Sequence, residues 1–117
     1  MRPLIVDDIM KTPVYSIEED KSGEDALKQM EANQIKKILV TKAEKPIGVL
    51  ERWKIPDSDK KLPLTRFELS PFQVVPKGTD VSSIRGYLTS YSAVYVLDQK
   101  NQKLVGVVTP FDLVQAY

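Results

Sequence analysis

An internal duplication is the feature of this sequence that most constrains its fold. Pro13 and Pro71 stand in two similar segments, TPVYSI and SPFQVV, that lie 58 residues apart. Gly48 and Gly106 stand in a second similar pair, PIGVL and LVGVV, at the same separation of 58 residues. Matching segments at one fixed separation indicate two diverged copies of a structural unit, with insertions and deletions confined to loops.

Both copies predict the same order of elements, β-α-β-β-α. The residues that mark the apolar face of the first predicted helix are Ala26, Leu27 and Met30, and those of the second are Val81, Ile84 and Leu88. Their spacing is helical, and Thr79 or Asp80 is suited to cap the second helix. Three short strands in each copy leave an apolar face that one copy cannot bury alone. We therefore predict an α+β fold of two pseudo-symmetric motifs packed sheet to sheet.

The two copies are joined by a segment without periodicity. Residues 56–63 contain two prolines and many charges, which is typical of a linker. We accordingly predict a first copy over residues 1–55, a linker over 56–66 and a second copy over 67–117.

The composition excludes several classes of function. The chain has no cysteine and no histidine, which removes thiolate nucleophiles, Ser-His and Cys-His pairs and most transition-metal sites. Its 17 basic and 16 acidic residues give a net charge of +1, without the basic surplus of a general nucleic-acid binder. No apolar run approaches the ~20 residues of a transmembrane helix, and the mixed polar start of the sequence leads us to expect no secretory signal. We expect a cytoplasmic domain without catalytic activity.

The duplicated unit resembles a tandem pair of CBS motifs, the module named after cystathionine β-synthase and often called a Bateman module. The resemblance rests on the opening VDDIMKTPV (residues 6–14), the close GVVTPFDLV (residues 106–114) and the duplication itself, and it covers about residues 5–116. It implies a regulatory module that binds AMP, ADP, ATP or S-adenosylmethionine between its copies and modulates an attached or partner protein. The alternative is an interaction or dimerisation module without a ligand.

The main chemical signal is the sequence Thr109-Pro110-Phe111-Asp112. In the family that it resembles, a Thr or Ser followed three residues later by Asp binds a ribose. A carboxylate suits this role because its oxygens accept both hydroxyls of a cis-diol. The same pattern is also a helix-capping box, with proline at the first helical position. Both interpretations are compatible with the sequence.

The resemblance also implies which other residues line this cleft. They are Met10, Lys11, Thr12, Pro13, Val14, Tyr15, Ile35, Lys36, Lys37, Ser92 and Val107. Backbone groups near Tyr15 are expected at the adenine edge, Ile35 and Val107 at its faces, and Lys36 or Lys37 with Ser92 at the phosphates. The alternative for the two lysines is an exposed turn, and for Met10 and Ile35 it is core packing.

The second, pseudo-symmetric cleft departs from this pattern. Glu51 and Lys54 replace the Thr and Asp of the motif, and an ammonium group cannot accept hydrogen bonds as a carboxylate does. We expect this cleft to be weak, empty or adapted to a different ligand.

The remaining apolar residues bear on assembly. Trp53 and Phe111 occupy equivalent positions after the last strand of each copy. We predict that both are packing residues, the alternative being exposed interface patches. The predicted helix faces, together with Trp53, Phe111, Leu113 and Val114, hold more apolar surface than one small domain buries. We therefore expect a twofold homodimer through these helices, with an effector protein that the sequence does not identify.

Overall fold

Each copy contributes one three-stranded sheet in the computed structural model, which describes residues 2–116. The strands are β1 (Ser16–Glu18), β2 (Lys37–Lys42) and β3 (Lys45–Glu51) in the first copy, and β4 (Phe72–Pro76), β5 (Ala93–Asp98) and β6 (Lys103–Val108) in the second. In both sheets the first strand runs parallel to the second, which pairs antiparallel with the third. The predicted α+β class and the repeated strand order are therefore confirmed.

The symmetry of the sheets extends to their irregularities and their burial. The pairing register shifts after Val40 in β2 and after Val96 in β5. Both residues are fully buried in the apolar centre of their strands, as the continuous runs of branched residues predict. The two copies therefore share the position of this register shift as well as the order of their strands.

The helices are short, and α2 has a complete N-terminal cap. They are α1 (Val6–Ile9), α2 (Gly23–Ala32) and α3 (Pro110–Ala116), with 3₁₀ turns at Arg52–Lys54, Asp57–Asp59, Leu64–Arg66, Val81–Ser83 and Tyr87–Thr89. Ser22 and Asp25 exchange side-chain and backbone hydrogen bonds of 3.1 Å at the start of α2, and Ala26 and Met30 are fully buried. No helix within residues 2–116 is long and apolar enough to cross a membrane.

The amphipathic α-helix predicted for the second copy is wrong. Two 3₁₀ turns, Val81–Ser83 and Tyr87–Thr89, take its place. Asp80 still caps the segment by accepting the Ser82 N–H at 2.8 Å, and Val81 and Ile84 are fully buried. The segment carries Gly86 and several hydroxyl side chains, which raise the cost of a continuous helix and compete for its backbone groups.

The closing helix predicted for the first copy is also reduced, to the single 3₁₀ turn Arg52–Lys54. Pro56 follows two residues later, and steric contact with a proline ring disfavours helical backbone at the residue before it. Ile55 accordingly has a non-helical ψ of 88°.

Residues 2–116 form two compact units, which we name the terminal unit (residues 2–14 and 71–116) and the central unit (residues 15–70). In the terminal unit the segment that precedes β1 is bound to the second copy. The Val6 N–H donates to the Thr79 carbonyl at 2.8 Å and the Val81 N–H to the Leu4 carbonyl at 2.9 Å. Val6 is fully buried in one apolar cluster with Val94 and Val96. Long-range hydrogen bonds thus attach the start of the chain to its second half.

In the central unit the predicted linker is bound to α2. The Gly23 N–H donates to the Leu62 carbonyl at 2.9 Å, and the Leu64 N–H donates to the Lys21 carbonyl at 2.8 Å. The Leu64 side chain is buried in the core with Met30 and Ile38. The segment therefore has a structural role beside its connecting one, and the boundaries of the copies at residues 55 and 67 stay a prediction.

Candidate functional site

The Thr109–Asp112 motif lies where β6 ends and α3 begins in the terminal unit. The Asp112 side chain is in the first turn of α3, and the residue is only 4% exposed. Its Oδ2 accepts the Thr109 N–H at 2.9 Å and the Thr109 hydroxyl at 3.1 Å. The Asp112 side chain therefore makes its half of the predicted capping box, whereas the Asp112 N–H donates to the Thr109 carbonyl at 3.0 Å and not to the Thr109 side chain. The ligand interpretation stays a prediction.

The other oxygen of Asp112 faces a lysine. The Lys11 Nζ lies 3.2 Å from Asp112 Oδ1 and 5.7 Å from the centre of the Phe111 ring. The backbone of Lys11 is fixed by two hydrogen bonds with Val107, of 2.9 and 3.0 Å. The Lys11 side chain is nevertheless 64% exposed. The ion pair therefore joins a solvent-exposed ammonium group, on a hydrogen-bonded backbone, to a buried carboxylate.

Met10 packs directly on Gly106. A Cβ at Gly106 would lie 2.2 Å from Met10 Sδ and 2.9 Å from Met10 Cβ. Met10 is half-buried against the apolar cluster of the terminal unit, which supports core packing for this residue. Glycine is thus required at residue 106 so that the segment carrying Met10 and Lys11 can lie against β6.

A pocket of about 300 Å³ opens beside the Lys11–Asp112 pair. It is lined by Asp8, Ile9, Lys11, Asp112, Gln115 and Ala116. Hydrogen bonds from the Arg2 guanidinium, with a further one from the Ile5 N–H, hold the pKa of Asp8 at about 2. The carboxylate charge at this rim is therefore present at neutral pH, and Arg2 compensates it.

The sequence interpretation missed four of these lining residues, Asp8, Ile9, Gln115 and Ala116. A signal existed for two of them, since Gln115 and Ala116 follow Asp112 by three and four residues. That spacing places side chains on one face of a helix.

The predicted site residues fall into both units. The terminal unit contains Met10, Lys11, Thr12, Pro13, Val14, Ser92, Val107, Thr109 and Asp112, and the central unit contains Tyr15, Ile35, Lys36 and Lys37. In the terminal unit the structure joins Lys11 to Val107 and to Asp112, and Asp112 to Thr109. Thr12 and Pro13 are exposed, Val14 is half-buried, and the Ser92 N–H donates to the Pro71 carbonyl at 3.0 Å.

The four predicted residues of the central unit have structural contacts there. Tyr15 and Ile35 are half-buried against its core, which supports packing for Ile35. Lys36 is exposed, as the turn interpretation expects, and its carbonyl accepts the Arg52 N–H at 2.8 Å. The Lys37 Nζ lies 3.9 Å from Glu51 Oε1. Their roles toward a ligand stay predictions.

The central unit repeats the backbone arrangement with different side chains. Ser70 exchanges two backbone hydrogen bonds with Val49, of 2.9 and 2.8 Å, as Lys11 does with Val107. The Ser70 hydroxyl donates to Glu51 Oε2 at 2.6 Å and accepts from Lys54 Nζ at 3.0 Å. Ser70 is only 7% exposed. Glu51 and Lys54 are therefore joined through the buried hydroxyl of Ser70, a bridging role that the sequence interpretation did not predict.

The prediction that Trp53 and Phe111 are packing residues is wrong. Trp53 is 76% exposed and Phe111 is 61% exposed. Each ring lies near a lysine of its own unit, with Lys54 Nζ 5.4 Å from the Trp53 ring centre. The turn that follows β3 or β6 directs each ring to solvent. The two equivalent positions are therefore surface positions in both copies.

Comparisons with known proteins identify the family and the fold of the chain. The model of the CBS domain family matches residues 6–55 and 66–117. No curated protein matches the chain. Among solved structures, the chain is similar to a hemolysin-like protein containing a CBS domain from Oenococcus oeni PSU, with a TM-score of 0.77 and 20% identity over 97% of this chain and 89% of that chain.

Two further structures are similar at the same level. The CBS domain of the bacterial CNNM/CorC family Mg²⁺ transporter has a TM-score of 0.77 and 20% identity, over 95% of this chain and 73% of that chain. The CBS domain pair of protein MJ0100, solved in complex with 5′-methylthioadenosine and S-adenosyl-L-methionine, has a TM-score of 0.76 and 18% identity over 98% and 96%. At these identities the similarity shows a shared fold.

Proposed function

Because the chain belongs to the CBS domain family, we propose that it is a regulatory module whose terminal unit binds an adenosine-containing molecule. The observation that carries this proposal is the buried carboxylate of Asp112 beside a pocket of about 300 Å³. A carboxylate oriented in this way accepts the hydroxyls of a ribose. The complex of the MJ0100 pair with two adenosyl compounds supports the ligand class.

The donor set of the terminal unit fits such a ligand. Asp112 Oδ1 is the acceptor for the sugar hydroxyls, since Oδ2 is engaged by Thr109. The Lys11 ammonium supplies hydrogen-bond donors for a sugar or a phosphate. The Thr109 hydroxyl donates its proton to Asp112 Oδ2, so it offers a ligand an acceptor only. The half-buried Val107 side chain offers an apolar contact for a base. AMP, ADP, ATP and S-adenosylmethionine are the candidates.

The module acts by binding and has no catalysis of its own in this proposal. Lys11 follows α1, Val107 lies in β6 and Asp112 lies in α3. A molecule bound to all three would favour one arrangement of these elements over others, and a ligand shifts populations only through such differential contacts. The regulated protein would respond to that shift.

A second candidate function is an interaction module without a ligand. It is favoured by the polar contacts that Asp112 already makes with Thr109 and Lys11. The equivalent groups of the central unit, Glu51 and Lys54, are likewise satisfied within the protein through Ser70.

A calorimetric titration of the full chain separates the two candidates. We expect saturable binding of at least one of AMP, ADP, ATP and S-adenosylmethionine, with one molecule per chain. One site is expected because the polar groups of the central unit are engaged with each other. Absence of binding for all four compounds would favour the interaction module, and two equal sites per chain would contradict our placement of the site.

We still expect a homodimer, but with fewer residues in its interface than the sequence analysis predicted. Ala26, Met30, Val81 and Ile84 are fully buried within their own units, so they cannot serve as dimer contacts. The large apolar side chains that stay exposed include Trp53 at 76% and Val114 at 72%. We expect light scattering at micromolar concentration to give twice the mass of the chain. Trp53→Ser and Val114→Ser should shift the mass toward the monomer, and a monomeric wild-type protein would contradict the proposal.

A further inference from the structure

The two oxygens of Asp112 have different partners, and this difference limits how a ligand can bind. Oδ2 holds both donors of Thr109, a contact that the fold makes within one helical turn. Oδ1 faces Lys11 Nζ at 3.2 Å, across a contact between segments far apart in the sequence. A sugar hydroxyl that approaches Oδ1 therefore competes with the Lys11 ammonium.

Lys11 is suited to leave Asp112 without disturbing the fold. Its backbone stays fixed on Val107, while its side chain is 64% exposed and ends on the rim of the pocket. Only the ammonium of this pair is solvated, since the Asp112 side chain is 3% exposed, so water can replace the carboxylate as a partner of Lys11. The remaining partner of the ammonium, the Phe111 ring at 5.7 Å, can be kept while Nζ turns away from the carboxylate.

From these contacts we infer that Lys11 is a latch on Asp112 that makes the site selective for phosphorylated nucleosides over uncharged ones. The inference rests on the proposed function of the same site. An uncharged adenosyl ligand displaces the Lys11 ammonium from the Asp112 carboxylate. It provides no anionic group that could replace the carboxylate as a partner of the ammonium. A nucleoside phosphate provides an anionic group for the displaced ammonium, so the lost ion pair is replaced by a charge-assisted hydrogen bond.

AMP and 5′-methylthioadenosine provide a matched pair of probes. Both contain adenosine, and they differ in the phosphate or methylthio group at the 5′ position. By calorimetry on the full chain we expect AMP to bind at least about tenfold more tightly, the effect of one charge-assisted hydrogen bond.

The variant Lys11→Met keeps an unbranched side chain of similar length, one atom shorter, and removes its charge. We expect affinity for 5′-methylthioadenosine to rise by up to about fivefold, because the competing ion pair is gone. We expect affinity for AMP to fall by about tenfold or more. Lys11→Arg keeps the cation and should retain the preference for AMP. Lys100→Met, in the exposed turn before β6, loses the same charge and should change neither affinity.

The outcomes distinguish the inference from the function on which it rests. Opposite shifts of the two affinities in Lys11→Met support the latch. Binding of both probes by the wild type, with both affinities falling equally in Lys11→Met, would make Lys11 a simple contact and overturn the latch while leaving the proposed function intact. Absence of adenosyl binding in the wild type and in Lys11→Met would overturn the proposed function itself.

Discussion

Replacing Asp112 by alanine is expected to weaken AMP binding at least tenfold. The substitution removes the acceptor for the sugar hydroxyls, and a hydrogen bond to a charged group contributes about 1.5–3 kcal/mol. It also removes the acceptor of the Thr109 N–H at the start of α3, so we expect a loss of stability of about 1 kcal/mol. Calorimetry measures the first effect, and denaturant unfolding measures the second.

Lys54→Ala is the matched control, because Lys54 holds the position of Asp112 in the first copy. It breaks the hydrogen bond to the buried Ser70 hydroxyl, so stability should fall while AMP affinity stays near that of the wild type. A 2′-deoxy ligand tests the same contact without altering the protein, since it lacks one of the two hydroxyls. Unchanged AMP affinity in Asp112→Ala would show that Asp112 is a helix cap only.

The second large effect is expected from Gly106→Ala, which should lower the free energy of unfolding by about 1–3 kcal/mol. The new methyl group would overlap Met10 at Sδ, Cγ and Cβ, all within 2.9 Å. A shift of the flexible end of Met10 cannot relieve the contact with its Cβ. The segment must move away from β6 and take Lys11 with it, so AMP affinity should fall together with stability.

Gly86→Ala provides the control for this variant. An added Cβ meets nothing within 4 Å there, and the backbone φ of −63° suits alanine. We expect Gly86→Ala to leave stability unchanged or to raise it by about 0.4–1 kcal/mol through the unfolded state. Urea unfolding of both variants, with midpoints compared at equal m-values, is the measurement. Equal midpoints for the two variants would contradict the contact between Met10 and residue 106.

The sequence alone was sufficient to predict the repeated strand order and most of the core of each strand, and it offered the cap at Thr109 as one of two interpretations. It failed at Trp53 and Phe111, which are exposed. The correctly predicted features depend on interactions between near neighbours or on a periodicity of two residues in strands and three to four in helices. Because the unit is duplicated, the patterns that indicate the strands occur twice in the sequence.

Val81 and Ile84 show the limit of this information, since their predicted burial is confirmed while the α-helix predicted for their segment is replaced by two 3₁₀ turns. Burial follows the apolar spacing, whereas the helix also had to overcome the cost of Gly86 and the serines.

Only the tertiary structure decided which residues meet at the site. Pro13 and Pro71 align Thr12 with Ser70 in the sequence, yet Ser70 makes with Val49 the backbone pair that Lys11 makes with Val107. A shift by one residue changes which side chain reaches the adjoining turn, and it places Lys11 on Asp112 in one unit and Ser70 between Glu51 and Lys54 in the other. The physical reason is that these partners lie far apart in the sequence, where no local periodicity connects them. Their pairing is determined by how closely Met10 packs on Gly106 and Leu69 on Gly48.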